Sequence, residues 1–92
     1  MIEGENMEFF SLNGKTALIT GSSQGIGYVL AKGLAKAGAT VILNGRDKIK
    51  LSKSLRNLKK NYPNTLSLAF DVTDYKEAQK SLTAYFLNGK KI

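Results

Sequence analysis

Residues 16–27 read TALITGSSQGIG, and the change of character after Thr20 decides how the whole chain is read. Residues 16–20 form a short apolar run of strand formers that ends at a glycine, the pattern of a fully buried strand. Gly21, Gly25 and Gly27 follow at once, and a helical pattern starts near Ile26 and continues to about Ala37. Gly38 stands where a left-handed C-terminal cap belongs. A glycine loop between a strand end and a helix start collects free backbone N–H groups at the positive end of the helix, so it favours an anion. Gly21 permits the tight turn, Gly25 lets a pyrophosphate approach the backbone, and Gly27 lets the helix pack closely against the strand. The spacing is G-x-x-x-G-x-G rather than the G-x-G-x-x-G of the standard dinucleotide fingerprint. Taken by itself, the loop is equally compatible with a glycine-rich turn that holds nothing.

Downstream, the same alternation repeats. Residues 40–43 (TVIL) form a second buried strand, and Asp47 is placed to cap a second helix running to about Asn61, which Pro63 prevents from continuing. Leu66, Leu68 and Phe70 alternate with smaller residues and mark a third strand. Asp74 and Glu77 make an approximate capping box for a third helix over residues 75–87, with Gly89 just past its end. Strand, helix, strand, helix, strand, helix, with apolar strands expected to be covered on both faces, predicts parallel strands joined by right-handed helical crossovers.

Composition narrows the chemistry. Ninety-two residues suffice for one small domain, and with no cysteine and no histidine the chain has no thiolate metal site, disulfide framework or neutral-pH proton shuttle. The start, MIEGENMEFF, carries three glutamates and no basic residue, unlike a signal or transit peptide. No apolar run approaches the roughly 20 residues of a membrane span, so no membrane partner is expected and the expected compartment is the cytoplasm. The net charge of +7 is concentrated in residues 46–60, which hold seven basic residues and one acid. Ile49, Leu51, Leu55 and Leu58 interleave there at helical spacing, so the charges read as the solvated face of an amphipathic helix in preference to a nucleic-acid stripe. Gly14-Lys15-Thr16 imitates the end of a nucleotide-triphosphate loop. Its first glycine would have to fall at Phe9, and it precedes a strand where that motif follows one.

TGSSQGIG after TALI resembles the cofactor loop of the short-chain dehydrogenase/reductase family, and LAKGLAKAGATVILNGR and FDVTD continue the likeness over residues 10–92. Within the family these stretches look most like members that act on a sugar acid. The resemblance implies half of a Rossmann-type doubly wound parallel sheet, a nicotinamide dinucleotide cofactor and hydride transfer between an alcohol and a ketone. It also implies a homo-oligomer for the intact protein. Residue by residue, it places Gly21, Ser23, Gln24, Gly25, Ile26 and Gly27 in the phosphate loop and Asp71 and Val72 beside the adenine ring. Members that use NAD carry an acid at the end of the second strand, where this chain reads Asn44-Gly45-Arg46. A guanidinium at Arg46 can bind a 2′-phosphate, so the implied cofactor is NADP, with NAD as the alternative. Gln24 departs from the second basic residue that many NADP-using members carry. The other readings of the chain are a nucleotide-binding module without chemistry and a small basic nucleic-acid-binding protein.

The family's catalytic pair is a tyrosine with a lysine four residues on, a spacing that Tyr28 and Lys32 reproduce. On a helical wheel of about 100° per residue, Ile26, Leu30, Leu34 and Ala37 share one face, which is expected to meet the sheet. Tyr28 and Lys32 fall on the other side and are expected to face solvent. The family's catalytic residues lie beyond a fourth strand, so no residue here is assigned to catalysis. The expected organisation is a polar leader, residues 1–14, and the first half of a dinucleotide-binding domain, residues 15–92. Gly89-Lys90-Lys91-Ile92 resembles the turn into that fourth strand, and the 92-residue chain alone is expected to be inactive.

Overall fold

The structure, a computed structural model, describes residues 12–87; the expectations for the first eleven residues and for the turn from Gly89 to Ile92 lie outside them. The elements follow one another as β1 (Thr16–Ile19), α1 (Gly25–Lys36), β2 (Thr40–Gly45), α2 (Lys48–Lys59), β3 (Leu66–Ala69) and α3 (Tyr75–Leu87). The strands form one parallel sheet in the order β1-β2-β3. Two crossovers that step in the same lateral direction put α1 and α2 on the same face. The result is half of a Rossmann-type sheet with flanking helices.

Among the described residues, the central strand alone is covered on both sides. Val41, Ile42, Leu43 and Asn44 are buried along β2, whereas β1 is half-buried up to Ile19 and β3 is half-buried throughout. Burial of all three strands on both faces was the sequence expectation, and it fails for the outer two because, among the described residues, each has a neighbouring strand on one side alone. The core gathers Ile19, Val41 and Leu43 from the sheet, Ala31 and Ala35 from α1, and Leu51 and Leu58 from α2.

Helix ends are set by recognisable local chemistry. At the end of α1, Gly38 adopts φ 106°, and its N–H donates to the Ala35 carbonyl while that of Ala39 donates to the Leu34 carbonyl. Those two bonds make a Schellman cap, which turns the chain directly into β2. Asp47 accepts from the N–H groups of Ile49 and Lys50 at 3.0 and 3.1 Å at the start of α2, and Asp74 accepts from Glu77 N–H at 3.1 Å at the start of α3. Both caps stand where the sequence placed them. The basic residues of α2 point outward, as its amphipathic pattern requires, but Ile49 also points outward and does not join Leu51 and Leu58 beneath the helix.

The facing of α1 corrects the wheel. Ala31 and Ala35 meet the sheet, with Leu34 partly buried beside them, whereas Ile26 is 89% exposed and Val29 and Leu30 are more than half exposed. Tyr28, expected in solvent, is half-buried and packs on the core cluster. A helix lying this close to a sheet needs small side chains at the contact, and Gly27, Ala31 and Ala35 supply that stripe. The larger residues of the neighbouring stripe carry more hydrophobic weight on the wheel and yet have no room beneath the helix. Among the described residues, no helix is long and apolar enough to cross a membrane.

Candidate cofactor-binding edge

Because the three strands run parallel, the residues that leave them all emerge at one edge of the sheet. The loop over residues 20–24 leaves β1, Arg46 leaves β2, and Asp71 and Val72 follow β3. The sequence-predicted site residues are therefore brought to a single edge by topology alone.

The glycines serve distinct geometric needs. Gly21 and Gly25 have φ of 61° and 63°, which residues with a side chain rarely adopt, and the space in front of each is open. Gly27 is constrained differently: a Cβ there would stand 2.5 Å from the carbonyl oxygen of Gly21 and 3.0 Å from Cα of Ser22. The helix thus begins in direct contact with the turn. Ser23 lies where a Cβ on Gly45 would reach, 2.8 Å from its hydroxyl, and its carbonyl accepts from the hydroxyl of Ser54 on α2.

The N-terminus of α1 differs from those of its neighbours. Gln24 occupies the N-cap with an extended backbone and makes no side-chain capping bond, whereas Asp47 and Asp74 supply such bonds to α2 and α3. Its leading N–H groups retain their capacity to bind an acceptor, in a turn whose backbone dipoles favour negative charge. Ile26 and Val72, both exposed, flank this edge with apolar surface.

Arg46 and Asp71 meet directly. The guanidinium Nη1 stands 3.4 Å from Oδ2 of Asp71, with the arginine side chain 78% exposed and the aspartate 28%. Oδ1 of Asp71 accepts from both the backbone N–H of Thr73 at 2.9 Å and its hydroxyl at 2.7 Å. The Thr73 hydroxyl and then its N–H hold the Asp71 carboxyl below the ordinary aspartate value, opposed by slight desolvation, with Arg46 adding a smaller contribution in the same direction. The aspartate is an anion whose two oxygens are already oriented.

Sequence reasoning missed two residues at this edge. Ser22, fully buried, donates its hydroxyl to the Ile19 carbonyl at 2.6 Å and accepts from Asn44 N–H at 2.9 Å. Asn44, read in the sequence only as a missing carboxylate, is 1% exposed and uses its whole side-chain amide. Oδ1 accepts from Gly21 N–H at 3.1 Å, and Nδ2 donates to the Leu68 and Phe70 carbonyls at 3.0 and 3.2 Å. The available signal was an amide inside an apolar strand, a combination that demands partners.

Tyr28 and Lys32 stand one helical turn apart on α1. The Tyr28 ring packs half-buried against the core cluster, and Lys32 Nζ lies 6.0 Å from its centroid. The wheel's ground for setting the pair aside, two side chains facing solvent, does not hold for Tyr28. No cluster of metal-ligating side chains exists among the described residues. A depression of about 200 Å³ lined by Tyr62, Pro63 and Thr65 lies at the opposite edge of the sheet and holds no charged group.

A glycine turn running into an uncapped helix, at the carboxyl edge of parallel strands, defines a dinucleotide-binding half-sheet. Residues 15–89 match the family described as short chain dehydrogenase, and the chain belongs to that family. Over 67 residues it is 46% identical to gluconate 5-dehydrogenase of Gluconobacter oxydans, covering 73% of this chain and 26% of that protein. The structure of a gluconate 5-dehydrogenase from Burkholderia cenocepacia in complex with NADP and tartrate superposes with a TM-score of 0.79 at 34% identity, covering 86% of this chain and 31% of that one. That of L-sorbose reductase from Gluconobacter frateurii, complexed with NADPH and L-sorbose, gives 0.75 at 36% identity, with 82% and 29% covered. The likeness to members acting on a sugar acid is thus a likeness to gluconate 5-dehydrogenase, of which the chain spans about a quarter to a third.

Proposed function

We propose that this chain is the cofactor-holding portion of an NADP-dependent oxidoreductase that acts on a sugar acid or a similar alcohol/ketone pair. The observation that carries the reading is the uncapped start of α1, reached through a glycine turn, on the same edge as Arg46 and Asp71. Gly21, Ser23, Gln24, Gly25, Ile26 and Gly27 would take the pyrophosphate, with backbone N–H groups as donors and no side chain in the way. Asp71 would accept from the exocyclic amine of the adenine, Val72 would lie against the ring, and Arg46 would bind the 2′-phosphate. When bound, the nicotinamide supplies or accepts the hydride; the residues described here fix the other end of the molecule. Among the described residues of this edge none is assigned to proton transfer or to walling the reacting ring, so we place turnover in a protein of the length of its relatives, in which residues 15–92 would form the first half of the dinucleotide-binding domain. For that protein we propose a cytoplasmic homo-oligomer, in keeping with its family.

Binding to the purified chain, followed by calorimetry, tests this reading. NADPH should bind more tightly than NADH, and a salt-dependent titration with duplex DNA should show no competing tight association. Equal affinity for the two cofactors would remove Arg46 as the discriminating residue. Binding of DNA without binding of either cofactor would replace the reading altogether.

A further inference from the structure

Asn44 sits in the most buried strand of the fold, between Leu43 and Gly45, where an apolar side chain is the default. An amide there is tolerated only when every donor and acceptor is satisfied, and this one is. Its orientation is unambiguous, because only Oδ1 can accept from Gly21 N–H and only Nδ2 can donate to two carbonyls. The partners lie on opposite sides of β2. Gly21 opens the glycine turn, and Phe70 carries the last carbonyl before Asp71. The regular ladders stop at Ile19–Leu43 on one side and Gly45–Ala69 on the other, so the turns beyond them rely on other ties. Ser22 adds a second tie on the β1 side: its N–H donates to the Asn44 carbonyl at 2.7 Å and its hydroxyl accepts from Asn44 N–H.

From this bridge we infer that Asn44 is a positioning residue, which sets the separation between the glycine turn and the Asp71 turn without touching the ligand itself. The inference rests on reading this edge as the cofactor site. A dinucleotide must engage both turns at once, and the gain from simultaneous engagement depends on their spacing being correct. Loss of the bridge should therefore weaken a ligand that spans the two turns more than a ligand that meets either one alone. A residue that served only general stability would change all of them in proportion to the folded fraction.

The test uses the 92-residue chain and three probes followed by chemical-shift titration: pyrophosphate for the glycine turn, 2′-AMP for the Asp71 and Arg46 side, and 2′,5′-ADP for both. Asn44→Asp keeps the acceptor for Gly21 but turns a carboxylate towards the Leu68 and Phe70 carbonyls. It should weaken 2′,5′-ADP by about tenfold or more, the scale of one well-placed hydrogen bond, while each smaller probe changes by less than about threefold. Proportional weakening of all three, or an unchanged 2′,5′-ADP, overturns the inference. A ligand-free readout accompanies it: amide exchange at Gly21 should accelerate in Asn44→Ala relative to Leu43, and unchanged protection at Gly21 also overturns it. Should the Asn44 variants not fold, Ser22→Ala severs the second tie alone and must move the probe ratio in the same direction; a flat ratio again sinks the proposal. Wild-type chain that binds none of the probes refutes the cofactor reading itself, and the positioning role with it, whereas wild-type binding with a flat variant ratio refutes only the latter.

Discussion

Asp71 is the residue at which the electrostatics of the edge can be measured directly. Its carboxyl is held low first by the Thr73 hydroxyl, then by the Thr73 N–H, and to a smaller degree by Arg46. A group whose folded-state value is depressed adds stability above its unfolded value, near pH 4, and loses that contribution as the pH falls through the lower folded value. An NMR titration of the Asp71 carboxyl should therefore give a midpoint below that of an unstructured aspartate. Thr73→Ala should raise it more than Arg46→Ala does, and the reverse order would contradict the assignment of causes. Arg46 carries a second prediction, on cofactor choice. Arg46→Asp removes the guanidinium that stands 3.4 Å from Asp71 and puts a carboxylate on the edge that repels a 2′-phosphate, so the affinity ratio of NADPH to NADH should fall by about tenfold or more. Calorimetry on the wild-type chain and Arg46→Asp checks it, and an unchanged ratio counts against Arg46 as the reader. At this scale the glycines, Arg46 and Asp71 were legible because each announces a local need: a positive φ, a charge, a strand end. Asn44 and Ser22 were not, because their value comes from carbonyls and N–H groups that only the assembled sheet brings within reach.

Helices and strands were legible as units, and their ends more so than their faces. Asp47 illustrates the ends. One oxygen accepts from two backbone N–H groups of α2, so Asp47→Ala should cost about 1 kcal/mol, read as a lowered urea midpoint with an unchanged slope. A midpoint that does not move would mean that the helix start is held by packing alone. Faces were harder to read, and α1 shows why. Its residues fall into two adjoining stripes, one small (Gly27, Ala31, Ala35) and one large (Ile26, Val29, Leu30). Hydrophobic weight selects the second, but close approach of a helix to a sheet selects the first. Ile49 on α2 was misplaced for a related reason: it sits in the first turn, before the helix has settled onto the sheet, so its position in the periodic pattern does not decide its burial.

For the molecule as a whole, two surfaces set its solution behaviour. Among the described residues, β1 pairs with β2 on one side only, leaving a row of backbone N–H and C=O groups along an apolar strand, and α1 exposes its large apolar stripe. Edges and patches of this kind pair with other copies unless something blocks them. The 92-residue chain should therefore self-associate in a concentration-dependent way, measurable by light scattering, and Leu30→Lys should shift it towards monomer. A sharp cooperative thermal transition together with a monomer at all concentrations would refute this.

The two ladders also share a property that bears on how the chain reaches this state. Partners stand 24 residues apart in both, Thr16 with Thr40 and Ile42 with Leu66, and each strand pairs with the next one along the chain. Each ladder thus closes a loop of the same length at nearly the same entropic cost, and neither has to wait for a distant segment. During synthesis β1 and β2 can join as soon as Gly45 has emerged, while the Asn44 amide still has water for a partner. Arrival of β3 then replaces that water with the Leu68 and Phe70 carbonyls. The glycine turn would be shaped early in the life of the nascent chain, and the Asp71 side would be drawn to it when β3 docks.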